Sequence, residues 1–317
     1  MRSLVKRIAR KMPLLSQLAA ACRWYRSTRE LMWVPPGHCF SPIPSREDRD
    51  EFERHLGSAL PHALPGIDLN EAGQLALLGE LAPYAAEQPF AATRTVGLRY
   101  VAKNGSYPLG DAITLYAMLR RMRPRRIIEI GCGYSSAVIL DTNEHYLNGE
   151  MDCTFIDPDQ TRLERLLKAE DRKRAQIVAR RLQEVNVDRF RRLESGDFLF
   201  VDSSHVAKLG SEVNTIFFDI LPSLAAGVHV HFHDIFYPFE YPPEWVREGR
   251  AWNEAYLLRA FLSCNHAFQI SFFFTYLARL HAERFRRAMP SALEAGGVSL
   301  WLKKIRPPGE ATVSHVA

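Results

Sequence analysis

From about residue 112 the chain alternates two hydrophobic periods. Short apolar runs recur as RIIEI, CTFID, QIVAR, DFLFVD, VHVHFHD, QISFFFTY and VSLWLKK, and stretches of helical period separate the early ones. Such runs, spaced by helices, predict a parallel sheet buried on both faces. SSAVILDTNEHYL reads as a helix stopped by Asn148-Gly149. TRLERLLKAEDRKR reads as another, with Glu164/Lys168 and Glu170/Arg174 four apart as supporting pairs. The expectation is an α/β fold with a doubly wound, seven-stranded, mostly parallel sheet.

Upstream, Leu4, Val5, Ile8, Met12, Leu15 and Leu18 fall at helical spacing with cations opposite them, which predicts an amphipathic helix over residues 1–30. WVPPGHCFSPIPS, with Pro35, Pro36, Pro42 and Pro44, predicts an extended arm. Weak helical patterns broken by Pro61, Pro65, Pro83 and Pro89 predict a small helical cap. The layout expected is therefore a basic helix over 1–30, an arm and cap over 31–95, a domain over 96–305 and a loose tail over 306–317.

Charge changes the reading of the first segment only. The net charge of the 317 residues is +5, but residues 1–29 hold eight Lys or Arg and no acid, leaving 33 basic against 36 acidic residues in the rest. A basic excess confined to one terminal segment argues against a nucleic-acid surface. It fits peripheral contact with an anionic membrane through residues 1–29, and equally packing of this helix on its own domain or on a partner. MPLLSQLAAAC faintly resembles a lipoprotein cleavage site, but its apolar part is short and broken by Ser16 and Gln17. No apolar run approaches the roughly 20 residues that span a bilayer. Five scattered cysteines, odd in number and never in a CxxC pair, read as reduced thiols of a cytoplasmic protein.

The chemistry gathers at the predicted strand ends. In RRIIEIGCGYSS, Glu129 closes the first strand, Gly131 and Gly133 occupy the turn, and Ser135 is placed to cap the next helix. In an open α/β sheet this turn is where nucleotide-like ligands bind. A dinucleotide fingerprint would need Gly or Ala where Ser136 stands, and it lacks the preceding acid. HVHFHDIF sets His229, His231 and His233 on one face of a strand, yet His229 and His233 lie about 13 Å apart and cannot share an ion. FYPFEYPPEW holds Phe236, Tyr237, Phe239, Tyr241 and Trp245, which suit either the wall of an acceptor pocket or a loop pinned to the core.

With these motifs in this order, residues from about 100 to 305 resemble the class I S-adenosylmethionine-dependent methyltransferases, whose first motif is an acid, any residue, Gly, any residue, Gly. The resemblance implies a Rossmann-like fold. It also implies that Asp157, ending the second strand, accepts hydrogen bonds from the ribose hydroxyls, with Asp159 as a rival. Gln183 would lie near the adenine, and Tyr107 and Asp111 of NGSYPLGDA near the methionine end. At the ends of the fourth and fifth strands, Asp202, His233 and Asp234 become candidate ligands for Mg2+ or Mn2+. His205 and His233 become candidate bases. The function implied is methyl transfer to a hydroxyl, or less readily an amine, of a small molecule or glycan. The alternatives are a non-catalytic S-adenosylmethionine-binding partner module and a metal-dependent hydroxylase on the same fold.

Overall fold

The computed structural model describes residues 13–29, 31–56, 60–91, 93 and 95–308. It divides into two compact units: residues 1–59 with 243–251, and residues 60–242 with 252–317. Most of the segment expected to form the tail, 309–317, and the stripe residues Leu4, Val5, Ile8 and Met12 lie outside the described residues.

In the smaller unit, a helix spans Pro13–Arg29 and a second spans Arg46–Leu56. The second opens on a reciprocal cap: Asp48 N–H donates to Ser45 Oγ at 3.0 Å and Ser45 N–H donates to Asp48 Oδ2 at 2.9 Å. The proline-rich segment is not the expected extended arm. Gly37 N–H donates to Ile43 O at 3.0 Å and Ser41 N–H to His38 O at 2.7 Å, so the prolines mark turns that fold the segment back on itself.

The larger unit holds all seven expected strands: β1 Arg126–Ile130, β2 Asp152–Ile156, β3 Ala175–Val178, β4 Phe198–Val201, β5 His229–Phe232, β6 Phe268–Phe273 and β7 Leu300–Lys304. Their order is β3-β2-β1-β4-β5-β7-β6, parallel except that β7 runs antiparallel to both neighbours. Ile130 pairs with Ile156 on one side and Val201 on the other, and Val201 pairs with Phe232. The carboxyl ends of β2, β1, β4 and β5 are therefore level, which brings the loops that follow them to one edge.

The Leu109–Met122 helix is buried over all of Gly110–Leu119, because it packs against the helices Glu71–Ala86, Tyr134–Tyr146 and Pro290–Ala295. Gly110 permits the last contact: a Cβ there would lie 2.0 Å from Gly296 O. Residues 60–95, the larger part of the expected helical cap, lie in this unit, where the Glu71–Ala86 helix packs against the Leu109–Met122 helix.

TRLERLLKAEDRKR is not one helix. It forms two single turns, Thr161–Glu164 and Asp171–Arg174. The expected i,i+4 pairs give way to Lys168–Glu144 at 2.9 Å, Lys173–Glu170 at 3.1 Å and an Arg172–Glu164 pair. The cause is a buried guanidinium. Arg99 donates from Nε to Asp171 Oδ2 at 2.8 Å and from Nη1 to Asp141 Oδ1 at 2.8 Å, and it meets Glu144 at 2.7 Å. Asp171 Oδ2 also accepts Lys168 N–H at 2.6 Å. Satisfying a buried cation outweighs a few tenths of a kcal/mol from each exposed helix pair.

Candidate active site

The turn after β1 is shaped by close approach. Gly131 has φ 81°, and a Cβ there would lie 1.7 Å from the backbone oxygen of Asp202. Only glycine accepts both the dihedral and the contact, so the turn is locked against the end of β4. Cys132 N–H donates to Asp157 Oδ2 at 2.9 Å, tying the same turn to the end of β2. The following helix starts at Tyr134, earlier than expected, so Ser135 sits inside the first turn and does not cap it. Ser136 takes that role: its Oγ accepts Gly133 N–H at 2.9 Å and donates to Glu129. Glu129 is fully buried, and burial raises its carboxyl to about 8 against the opposing influence of the Ser135 and Ser136 hydroxyls.

Asp157 is half-buried beside this turn, each oxygen taking one backbone N–H, from Cys132 and from Asp159 at 2.8 Å. A lone pair remains on each oxygen for a diol. The rival Asp159 is exposed and its carboxylate accepts Thr161 N–H at 2.9 Å. Gln183 is exposed after β3 and donates to Gly210 O at 2.6 Å. Tyr107 and Asp111 are buried under the strand ends. The Tyr107 ring centroid lies 5.0 Å from that of His233. Asp111 accepts Val298 N–H on both oxygens, at 3.1 and 2.9 Å, and burial raises it to about 6.

Asp202, at the end of β4, and His233 and Asp234, at the end of β5, converge as expected: their ligand atoms all lie within 4.8 Å of one another. His205 closes the cluster. Its Nε2 lies 3.5 Å from Asp202 Oδ1 and 3.4 Å from Asp234 Oδ2, and its Nδ1 lies 2.8 Å from Glu254 Oε2. The ring also lies against Trp252, with centroids 4.5 Å apart. His205 and Asp234 both hold left-handed backbone, φ 60° and 57°, a conformation that costs non-glycine residues energy and clusters at functional sites. Burial alone would lower the His205 imidazolium, but Asp202, Glu254 and Asp234 outweigh it and raise the group to about 10. Burial likewise opposes ionisation of Asp202, yet His233, His205 and Arg162 carry it below the usual carboxylate range.

The other two strand histidines belong to the core. His231 is stacked on Phe200 at 3.8 Å and edges Trp301, and burial holds it well below the usual imidazole range. The aromatic loop after β5 is also core-pinned: Tyr237, Phe239 and Tyr241 are buried, the Tyr237 hydroxyl donates to Pro61 O, and the Tyr241 hydroxyl accepts Ala255 N–H at 3.0 Å.

Two further residues belong to the site: Glu254, which WNEAYLLRAF offers with Asn253 as a plausible pocket residue, and Arg162, which the sequence pattern does not single out. Glu254 opens the Glu254–Leu262 helix and is buried with Ala255 and Leu258; an acid on the apolar stripe of an amphipathic helix is the signal that marks it. Arg162 crosses the glycine turn, its Cδ 2.8 Å from where a Gly133 Cβ would stand. Nothing in its local sequence sets it apart from neighbouring arginines.

Both implied groups find fitting residues. Glu129 Oε1 is buried with no hydrogen-bond partner among the described residues, beside a glycine turn and the partly open Asp157. Two carboxylates and one imidazole of coordination-shell size suit a divalent cation.

Residues 128–235 match the family described as a methyltransferase domain. An uncharacterized protein of Archaeoglobus fulgidus is 34% identical over 127 residues, which cover 39% of this chain; the match spans 58% of that relative's length. Among solved structures, a proposed methyltransferase of Thermobifida fusca is 13% identical with a TM-score of 0.43, over 74% of this chain and 94% of that one. An S-adenosylhomocysteine-bound methyltransferase of Podospora anserina is 14% identical with a TM-score of 0.38, over 83% and 97% of the two chains. Within residues 128–235, the stretch that holds the glycine turn and the carboxyl ends of β2, β4 and β5, this chain is thus similar to a methyltransferase domain.

Proposed function

We propose that the chain moves the sulfonium methyl of S-adenosylmethionine onto a hydroxyl oxygen of a small molecule or glycan, with a divalent cation at Asp202, His233 and Asp234. The supporting observation is the locking of the glycine turn against the end of β4, which sets a cofactor-type turn beside an oxygen-rich cluster.

Asp157 accepts the ribose hydroxyls, Gly131 keeps the turn against the end of β4, Gly133 leads into the helix that follows, and Glu129 faces the cofactor's polar end. Gln183 stands on the adenine side, and Tyr107, Asp111 and Ser135 shape the floor. When bound, a cation of this kind polarises an acceptor oxygen and lowers its pKa. A hydroxyl fits better than an amine, because a hard cation among carboxylates prefers oxygen. His205 takes the proton at Nε2, while Glu254 holds its Nδ1–H and fixes the tautomer. The carboxylates that keep His205 protonated are the groups a cation would engage, so cation binding weakens its hold on the proton.

Calorimetry with S-adenosylmethionine and NAD tests the cofactor. The first should bind in preference, and Gly131→Arg and Asp157→Ala should each weaken it; unchanged affinity in both variants would sink the assignment. Mass spectrometry of hydroxylated acceptor pools tests the reaction. A gain of one methyl, lost on exhaustive chelation and restored by Mg2+ or Mn2+, is expected. Full activity after chelation would remove the metal from the reading.

A further inference from the structure

The smaller unit has a surface that methyl transfer leaves unexplained. Of the large hydrophobic side chains that are exposed among the described residues, seven fall between residues 18 and 43: Leu18, Trp24, Tyr25, Leu31, Trp33, Phe40 and Ile43. Leu31 and Trp33 are each 85% exposed. Trp33 and Phe40 stack with centroids 5.4 Å apart while both stay open to solvent. Hydrophobic side chains scattered singly need no explanation, but a run of aromatics along one short segment does.

The charges beside them have one sign. The Pro13–Arg29 helix carries Arg23, Arg26 and Arg29 and no acid, and the first 29 residues together carry +8. A 17-residue helix whose described side chains are nearly all exposed gains little from packing, and isolated helices of about this length are marginal in water. Two needs therefore coincide, a surface to cover the aromatics and anions to meet the arginines. Trp and Tyr favour the boundary between apolar and wet layers, where the ring is buried and the polar edge hydrated. Arginine beside them binds anionic headgroups and buries its stem.

We infer that residues 16–29 and 31–43 form a peripheral docking surface for an anionic lipid bilayer, with Trp24, Tyr25, Leu31, Trp33 and Phe40 entering the interface and Arg23, Arg26 and Arg29 engaging headgroups. No helix among the described residues is long and apolar enough to cross a membrane. The inference stands independently of the reaction, since none of these residues takes part in the cofactor or metal clusters.

Co-sedimentation of the full chain with phosphatidylserine-rich vesicles, against phosphatidylcholine vesicles, tests it. Binding to the anionic vesicles is expected, fading as salt rises. Charge reversal in Arg23→Glu/Arg26→Glu should weaken it about tenfold or more. Trp24→Ser/Trp33→Ser should weaken it comparably, with circular dichroism and S-adenosylmethionine affinity unchanged in both pairs. Failure of the wild-type chain to sediment with anionic vesicles overturns the inference and leaves a protein partner as the occupant. Equal binding by wild type and both variants overturns it as well.

Discussion

Two clusters of buried charge in the larger unit are built from similar residues and do opposite things. Around Arg99, every charged atom meets its counterpart directly: the guanidinium is held by Asp141 at 2.8 Å, by Asp171 at 2.8 Å and by Glu144 at 2.7 Å, and Asp141 also accepts the backbone N–H groups of Arg99 and Tyr100. Around His205, apart from the Glu254 contact, the separations are 3.4 to 3.6 Å. His233 Nδ1 and Glu254 Oε1 there have no hydrogen-bond partner among the described residues. The first cluster is complete and organises the loop after β2. The second is looser, with longer separations and two buried polar atoms left over among the described residues. Incomplete satisfaction of buried charge is costly for stability, so its persistence at strand ends points to use.

That contrast can be broken from either side. The largest expected effect is Arg99→Met, which strands the carboxylates of Asp141 and Asp171 and should cost about 3–5 kcal/mol of stability, read by urea denaturation. A loss under 1 kcal/mol would show that the complete cluster is not structural. Next, Asp202→Asn and Asp234→Asn should lower methyl transfer by about a hundredfold or more, with S-adenosylmethionine affinity by calorimetry largely kept. A parallel loss of cofactor binding would merge the two halves of the site. Glu254→Gln keeps the shape but loosens the imidazole, so turnover should fall about tenfold, with a changed pH–rate profile; an unaltered profile would leave Glu254 a packing residue.

The smallest effect separates the site from the strand beneath it. Burial, helped by Lys303, depresses His229 to about 4. The folded state thus favours neutral imidazole, whereas the unfolded chain takes up a proton near 6.5. Its contribution is fully present above 6.5 and is lost as pH falls from there through about 4, with a slope of up to about 1.4 kcal/mol per pH unit. His229→Gln should flatten that slope and leave turnover nearly unchanged. Acid denaturation curves of equal steepness in the two proteins would remove His229 from the balance.

The strand pattern announced all seven strands, because runs such as RIIEI and DFLFVD are local signals that burial reinforces. The acid-x-Gly-x-Gly turn was legible for the same reason, since its dihedral demand sits in adjacent residues. The convergence of Asp202 with His233 and Asp234 could be anticipated once β4 and β5 were taken as neighbours. Elsewhere tertiary contact decided. TRLERLLKAEDRKR has helical spacing, yet Arg99, some sixty residues upstream, broke it into two turns. The aromatics after β5 fitted a pocket or a core equally well until Tyr237 and Tyr241 were seen buried. FIDPD holds two acids, and only the fold shows that Asp157 meets the Cys132 amide while Asp159 is exposed. Glu254 lies 49 residues from the histidine it orients. Local preferences are written in neighbouring residues and survive in the sequence pattern. Which carboxylate meets which cation depends on strand order and loop closure, and only the folded chain sets those.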